Sequence, residues 1–321
     1  MSLILPTTEA QALEMKAQDG AEFRAGGTDV IDRLRRGIAA PTSLVSLHSL
    51  KSLQGFTEEA DGLIIGANET LHSVSVHPLV RRFMPVVADA CAHTATPQIR
   101  QHATVGGALA QRVRCPYFRQ PDFTCAKKGG PFCFARTGEH TYHGVFDNAV
   151  CMSLQPSTLA LALVTIDAEV EVIAHGGKAT WKPLRDVVDA PIGDATKDNG
   201  LGPAELIRRV RLPLHARWPQ QRYERLSARE LADWPLVEVA VVASMLGGVI
   251  DEVRIGLGAV GRNIRRATRA EGKLKGMAPS TANLKAAADL AVEGAAPGLM
   301  NQDKLLWVQR CVHAALEGAF A

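Results

Sequence analysis

The amino-acid sequence predicts an α+β protein of about two domains. Two strand, glycine-turn and helix patterns lie within residues 21–111, and residues 222–321 contain three strand-like segments followed by three helix-like segments. A block of strands followed by a block of helices is typical of a sheet with its helices segregated to one face. The length of 321 residues agrees with two domains and is enough to bury a core without disulfides.

The first glycine turn, residues 26–29 (Gly-Gly-Thr-Asp), follows a predicted strand at 21–25. It precedes an amphipathic, helix-like stretch at 30–36. Paired glycines let the backbone approach a bound anion closely, and the N-terminus of the following helix favours a phosphate. A tight strand-to-helix connection without any ligand explains the same pattern, so both interpretations stay open.

A second turn with the same layout, residues 104–107 (Thr-Val-Gly-Gly), leads into another helix-like stretch. Neither turn matches the glycine pattern of a Rossmann fold or a P-loop. The two turns together favour one diphosphate held from two sides. G-x-S-x-G and H-E-x-x-H are also absent from the sequence, so hydrolase and metalloprotease chemistry have no motif.

The remaining periodic segments predict the other elements and one domain boundary. Two prolines at 213–221 mark that boundary and divide the chain into domains 1–215 and 216–321. Predicted strands lie at 44–47, 63–66, 169–174, 205–212, 222–227, 237–246 and 253–260. Predicted helices lie at 79–91, 159–164, 264–274, 282–292 and 305–320.

Composition and charge exclude several classes of protein. Lys and Arg number 36 against 33 Asp and Glu, a net charge of +3, which excludes a generally basic nucleic-acid binder and an acidic disordered chain. No apolar run reaches the roughly 18 residues of a membrane-spanning helix, and the first residues lack the pattern of a secretory signal. We therefore expect a cytoplasmic protein.

Four of the six cysteines lie in one irregular stretch, residues 115–151, which we call the cysteine segment. They are Cys115, Cys125, Cys133 and Cys151. Their spacing lacks the close pairs of structural zinc sites, whereas four thiolates on a glycine-rich loop are able to hold an iron–sulfur cluster. Iron–sulfur ligation, zinc ligation and unrelated thiols all stay open on spacing alone.

Other candidate ligands have simpler explanations. His140 and His143 lie in the cysteine segment, but isolated histidines are usually solvated. Cys91 and Cys311 lie in apolar, helix-like surroundings, so we expect both to be core residues.

The glycine turns, with Gln98-Ile99-Arg100 and Gln155-Pro156-Ser157, resemble the FAD-binding medium subunit of the xanthine dehydrogenase family of molybdenum hydroxylases. The resemblance continues through 205–207, 223–233 and 255–260 and so covers nearly the whole chain. The cysteine segment looks like the insertion of a subset with a [4Fe-4S] cluster. That subset includes the 4-hydroxybenzoyl-CoA reductase β subunit and the FAD subunit of aldehyde oxidoreductases.

The resemblance implies a fold, two cofactors and two partner subunits. The fold is an FAD-binding fold of two α/β subdomains, of the vanillyl-alcohol-oxidase type, followed by a small C-terminal antiparallel sheet packed on helices. The implied FAD-binding residues are Phe23, Arg24, Ala25, Gly26, Gly27, Thr28, Asp29, Val30, Thr94, Thr104, Val105, Gly106, Gly107, Ala108, Thr158, Leu206 and Arg225. The implied ligands of a [4Fe-4S] cluster are Cys115, Cys125, Cys133 and Cys151.

The implied assembly is a heterotrimer, or a dimer of heterotrimers, with a large molybdenum-cofactor subunit and a small subunit that carries two [2Fe-2S] clusters. Such a chain would pass electrons through FAD between those clusters and an external acceptor or donor, with no catalytic acid or base of its own. Some of these assemblies are exported folded, so a periplasmic location by co-export stays open.

Three residues depart from the pattern of the family, and they define the alternative function. Ala108, Thr158 and Arg225 stand where the family commonly has Asn, Asp and Lys. Alanine cannot form the hydrogen bonds of the amide, and threonine keeps an oxygen but no charge. The alternative is a scaffold subunit of the same complex that has lost FAD or binds it weakly.

Overall fold

A computed structural model describes residues 1–60, 62–213, 218–229 and 232–321 of the chain. The backbone of these residues forms three β-sheets with helices between and against them, which confirms the predicted α+β class. The predicted domain boundary at 215–216 lies outside the described residues.

A small parallel sheet opens the fold and positions the first glycine turn. Its strands, in the spatial order β1–β3–β2, are β1 (Ser2–Ile4), β2 (Ala21–Arg24) and β3 (Ser43–Ser46). The helices that connect them are α1 (Glu9–Lys16) and α2 (Val30–Arg35). Leu13, Val45 and Leu50 fill the core beneath this sheet. The turn leaves the end of β2 and enters α2, as the sequence predicts.

A five-stranded antiparallel sheet forms the centre of the N-terminal part. Its spatial order is β4–β5–β8–β6–β7, from β4 (Phe56–Glu58), β5 (Gly62–Gly66), β6 (Glu169–Ala174), β7 (Thr180–Pro183) and β8 (Glu205–Pro213). The helices of this part are α3 (Leu71–Val76), α4 (Pro78–Phe83), α5 (Pro85–Ala92), α6 (Pro97–Arg100), α7 (Val105–Ala110), α8 (Thr158–Thr165) and α9 (Leu184–Val188).

The prediction of a single helix at 79–91 is wrong, because two helices, α4 and α5, cover this range. They separate at Met84, whose backbone is not helical, and Pro85 begins the second helix. Proline lacks the N–H that a continuous helix needs at this position, and it disfavours a helical conformation in the preceding residue.

The C-terminal part is a four-stranded antiparallel sheet covered by helices. Its spatial order is β12–β11–β10–β9, from β9 (Gln220–Ser227), β10 (Pro235–Leu246), β11 (Val249–Gly258) and β12 (Arg265–Arg266). The helices are α10 (Thr268–Leu274), α11 (Thr281–Leu290) and α12 (Asp303–Phe320). The helix predicted at 264–274 begins later, because Arg265 and Arg266 pair with β11 as a short strand.

The C-terminal sheet is buried on both faces. Val237, Val239 and Val241 point toward α10, α11 and α12, whereas Ala240 and Val242 face the core that contains α5 and α8. Helix α8 lies very close to β11: a Cβ on Gly256 would stand 2.1 Å from the Thr165 hydroxyl oxygen. The C-terminal sheet therefore packs against both halves of the fold.

Residues 111–157, which include the cysteine segment, contain no α-helix or β-strand, as the irregular sequence predicts. The C-terminal half of the segment is held from α12 by a fully buried lysine. The Lys304 ammonium donates to the carbonyl oxygens of Tyr142 (3.3 Å) and His143 (3.2 Å). Burial lowers the pKa of Lys304 to about 7.

The buried lysine predicts a pH dependence of stability. The unfolded chain keeps the Lys304 proton up to its ordinary pKa of 10.5, whereas the folded chain releases it near 7. The unfolded state thus binds more protons between these values, so the free energy of unfolding should rise with pH in this window. Lys304→Met should remove this contribution.

Urea unfolding of the wild type and Lys304→Met at pH 7 and pH 9 measures the difference. Between the two pH values the wild type should gain on the order of 2 kcal/mol more than the variant. Equal gains in the two proteins would contradict the prediction.

Candidate functional site

The first glycine turn lies against the chain that leads into the second, although the two are distant in sequence. A Cβ on Gly26 would lie 1.7 Å from the carbonyl oxygen of His102, two residues before the second turn begins. Thr104 caps α7 by accepting a hydrogen bond from the Gly107 N–H (3.2 Å). Only glycine permits the contact at position 26, so the first turn is fixed against the start of the second.

The turns differ in their free backbone donors. The N–H groups of Gly26, Gly27, Thr28 and Asp29 donate to no acceptor among the described residues. In the second turn, the Gly106 N–H donates to the Ala67 carbonyl (2.8 Å) and the Gly107 N–H to Thr104. The first turn therefore offers a row of N–H donors suited to an anion, whereas the second turn shapes the opposite wall.

A cleft of about 140 Å³, here the first cleft, lies between the turns. Strands β2 and β8 contribute Phe23 and Leu206 to its walls. Eleven of the residues proposed from sequence line it: Phe23, Ala25, Gly26, Gly27, Thr28, Asp29, Val30, Thr104, Gly106, Gly107 and Leu206. Arg24 and Val105 line neither this cleft nor the next, and Val105 is buried in the core.

A second cleft, of about 180 Å³, continues from the first. The two share Thr28, Gly107 and Gln111, so they form one groove. The four remaining sequence candidates lie in this second cleft: Thr94, Ala108, Thr158 and Arg225. Residues from α7, α8, β9 and the turn that follows α5 thus meet at one place, which no local sequence pattern indicates.

Asp29 anchors the first turn to the cysteine segment. Its carboxylate forms ion pairs with Arg119 (2.7 Å), Arg33 (3.0 Å) and Arg114 (3.3 Å). Burial alone would raise the pKa of Asp29, but Arg119, Arg114 and Arg33 outweigh it and lower that pKa. The carboxylate therefore stays ionised and is already fully engaged, so only the backbone of Asp29 is free to contact a ligand.

Sequence analysis missed an acid beneath the second cleft. Glu238 is fully buried on β10 and accepts hydrogen bonds from the Tyr223 hydroxyl (2.9 Å) and the Thr158 side chain. Burial raises the pKa of Glu238. Its signal in the sequence is a single acid within the apolar run 236–243. Thr158, which stands where the family commonly has Asp, is thus backed by a carboxyl group from a neighbouring strand.

Arg225 is held at the rim of the second cleft. Its guanidinium donates to the carbonyl oxygens of His93 and Asp233. The side chain therefore bridges the end of α5 and the turn between β9 and β10, and it places a guanidinium at the cleft.

The four cysteines of the segment lie in one neighbourhood. Cys125, Cys133 and Cys151 are buried, and Cys115 is partly exposed. The Cys133 thiol donates to Cys151, which raises the pKa of Cys133 and lowers the pKa of Cys151. The nearby Lys127 ammonium favours the Cys151 thiolate as well. Burial raises the pKa of Cys115 to about 11. Within the described ranges, no group of three or more His, Cys, Asp or Glu side chains is placed to hold a metal ion.

The histidines of the segment have different neighbours. The His140 ring contacts the carbonyl oxygen of Gly138 (2.8 Å) and accepts from the Met300 N–H (3.1 Å), so its two nitrogens are engaged within the protein. The Nε2 of His143 lies 3.3 Å from the Sγ of Cys115.

Cys91 and Cys311 are buried in α5 and α12 and pack in the two main cores, which confirms the sequence prediction.

Comparison with known families decides the identity. Residues 1–215 match the family described as "FAD binding domain in molybdopterin dehydrogenase", and residues 222–303 match "CO dehydrogenase flavoprotein C-terminal domain". The chain belongs to this family of molybdenum-enzyme flavoprotein subunits. FAD fits the groove, because the first turn offers free backbone N–H donors and its two glycines place no side chain beside them.

Individual relatives agree with the family. The chain is 32% identical over 317 residues to the aldehyde oxidoreductase FAD-binding subunit PaoB of Escherichia coli (strain K12), covering 98% of this chain and 96% of that protein. It is 23% identical to the carbon monoxide dehydrogenase medium chain of Hydrogenophaga pseudoflava, covering 88% of this chain and 82% of that one.

Solved structures share the fold. The carbon monoxide dehydrogenase of Hydrogenophaga pseudoflava that lacks the Mo-pyranopterin moiety matches with a TM-score of 0.78 at 22% identity, over 100% of this chain and 97% of that one. Quinoline 2-oxidoreductase from Pseudomonas putida 86 matches with a TM-score of 0.76 at 22% identity, over 100% and 98%. No helix among the described residues is both long and apolar enough to cross a membrane.

The free N–H groups of the first turn predict the effect of a side chain there. Gly27 has a φ of +77°, and a Cβ would meet Ile31 and Arg24 at 3.3 and 3.4 Å. In Gly27→Asp, backbone strain and a carboxylate in the anion site should together abolish FAD retention. FAD released from the purified complex by denaturation should fall from near one per protomer to near zero.

Gly37→Asp is the matched control. Gly37 lies at the other end of α2 and has a φ of +70°, but nothing lies within 4 Å of its Cβ position. The same substitution there imposes similar strain away from the cleft, so FAD content should stay at the wild-type level. Equal flavin content in the two variants would show that the first turn does not hold the cofactor.

Proposed function

We propose that the chain carries FAD in a molybdenum hydroxylase or dehydrogenase complex and passes electrons between a partner subunit's [2Fe-2S] clusters and an external acceptor or donor. The main support for this proposal is the continuous groove that runs from the free N–H groups of the first glycine turn to Thr158 and Arg225. Fifteen of the seventeen residues named from sequence line that groove. The assembly we propose is a heterotrimer, or its dimer, with large molybdenum and small iron–sulfur subunits.

Within this proposal the residues of the groove bind and orient the cofactor. Residues 26–29 would hold the diphosphate through backbone N–H groups, and the second cleft would enclose the flavin ring. When bound, FAD supplies reversible uptake of two electrons. The chain supplies position and charge: Arg225 keeps a cation at the ring, and Glu238 orients the Thr158 hydroxyl.

The alternative of a scaffold without FAD is not favoured. Ala108 removes an amide from the second cleft, but Thr158 is backed by Glu238 and Arg225 retains the positive charge. The first cleft keeps all of its glycines and its free backbone donors. An absorption spectrum of the purified complex tests the choice: flavin bands near stoichiometric intensity support the electron-transfer function, and their absence contradicts it.

We further propose that Cys115, Cys125, Cys133 and Cys151 ligate one [4Fe-4S] cluster. In a [4Fe-4S] cluster each cysteine binds a different iron. The four sulfurs therefore need not converge on one point, as the ligands of a single metal ion do. The buried Cys133–Cys151 pair, the influence of Cys151 and Cys125 on Cys115, and the cation of Lys127 beside Cys151 support this ligand set.

Replacing each cysteine by serine tests the cluster. In the anaerobically purified complex, each change at the four positions of the segment should lower the iron content by roughly four atoms per protomer, because one missing thiolate destabilises the whole cluster. Cys91→Ser and Cys311→Ser are matched controls, since both thiols are buried in helix cores, and they should leave the iron content unchanged.

Metal analysis of the same samples separates the outcomes. Zinc in the wild-type complex that is lost on replacing these cysteines, with no loss of iron, would identify a zinc module. An unchanged iron content in Cys125→Ser or Cys133→Ser would show that the ligand set is wrong. Neither outcome would affect the flavin, which the absorption spectrum measures independently.

A further inference from the structure

A cavity beside the flavin groove includes only Cys115 among the residues that the proposed function uses. It has a volume of about 480 Å³, against about 140 and 180 Å³ for the two clefts. It lies between the cysteine segment and the turn that joins β9 to β10. Four aromatic side chains line it: Tyr117, Phe123, Tyr142 and Trp234. We call it the aromatic cavity.

The aromatic cavity is continuous with the second cleft. The two share five residues: Arg114, Pro156, Asp233, Trp234 and Pro235. The Arg114 guanidinium lies over the Trp234 ring, 4.8 Å from its centroid, and together they form the boundary between the two spaces. A molecule in the cavity would therefore lie next to the ring of a flavin bound in the cleft.

The polar groups of the cavity favour a neutral ligand. Its charged lining residues are one cation, Arg114, and two carboxylates, Glu139 and Asp233. This balance disfavours a dinucleotide, whose two phosphates need several cations or free N–H groups.

Two buried nitrogens of the lining lack hydrogen-bond partners among the described residues. They are the Nε of Arg114 and the Nδ1 of His143, whose side chain is 7% exposed. Buried polar groups normally have partners, so a ligand with polar atoms at two edges would satisfy both.

We propose that the aromatic cavity binds a small quinone-class molecule, the external electron acceptor of the flavin. A quinone is flat, neutral and apolar, and it carries two oxygens on opposite sides of its ring. It would stack on the aromatic walls while these oxygens meet Arg114 and His143. Reduction of a quinone to its hydroquinone takes up two electrons and two protons, which the reduced flavin releases as it returns to the oxidised form. The inference rests on the proposed FAD site in the adjoining cleft.

Filling the cavity tests the proposal. Ala228 lines the aromatic cavity but neither cleft, and it is exposed, so Ala228→Trp adds a large side chain to the cavity without disturbing a core. The complex is reduced chemically under anaerobic conditions and mixed in a stopped-flow instrument with a soluble short-chain benzoquinone. Reappearance of the flavin absorbance gives the reoxidation rate at each quinone concentration.

The wild type should show saturation with quinone, and Ala228→Trp should raise the half-saturating concentration at least tenfold. Ferricyanide, which needs no apolar cavity, should reoxidise both proteins at the same rate. Ala314→Trp, on the exposed face of α12, is the matched control and should behave as wild type with both oxidants. Tyr142→Ala, at a half-exposed side chain of the cavity wall, should also weaken saturation and serves if Ala228→Trp does not fold.

The outcomes separate this inference from the proposed function. Rates that do not saturate with quinone, or that saturate equally in wild type and both cavity variants, would overturn the quinone site while the flavin signal stays intact. Saturable reoxidation by NAD⁺ that depends on Ala228 in the same way would also overturn it, in favour of a nicotinamide. A complex without flavin absorbance would instead contradict the proposed function itself.

Discussion

The contact between Gly26 and the His102 carbonyl oxygen is the constraint on which the site depends. A Cβ at position 26 would stand 1.7 Å from that oxygen, so the two turns are able to meet only because this residue is glycine. Their meeting joins the small parallel sheet to α7 and closes the first cleft. Asp29, three residues further on, binds Arg119 and Arg114, so the same turn also anchors the cysteine segment. The first glycine turn thus positions both the cofactor groove and the cysteine segment.

The C-terminal domain stabilises the cysteine segment from its other side. Lys304 and Asn301 donate to carbonyl oxygens at 142–144, and the N–H groups of Val145 and Phe146 donate to the Val260 carbonyl. A long segment without helix or strand would otherwise expose many unpaired backbone groups. Here carbonyl and N–H groups at 142–146 are paired with residues of the C-terminal part, which explains how an irregular segment is held against the fold.

Local sequence patterns predict much of the fold, but they do not predict contacts between residues that are far apart in the sequence. Both glycine turns, the C-terminal strands and the core positions of Cys91 and Cys311 follow from periodicity and turn chemistry. Strand β1 was not predicted, because three residues with two exposed side chains carry no periodic signal. Glu238 was missed because its partners Tyr223 and Thr158 come from another strand and from α8. The meeting of the turns is likewise a tertiary contact between segments about 75 residues apart. Closing a loop of that length is opposed by chain entropy, and no local sequence pattern indicates that it closes.

The position of Arg114 and Cys115 bears on the order of the redox groups. Arg114 lines both the second cleft and the aromatic cavity, and its neighbour Cys115 lines the cavity from the side of the cysteine segment. If a flavin occupies the cleft and a cluster the segment, both border the same cavity. A cluster held by Cys115 would thus lie beside the cavity that we propose takes the electrons of the flavin. Because the Asp29 carboxylate contacts Arg114 as well as Arg119, the turn that would hold the diphosphate is also tied to the arginine that borders both the second cleft and the aromatic cavity.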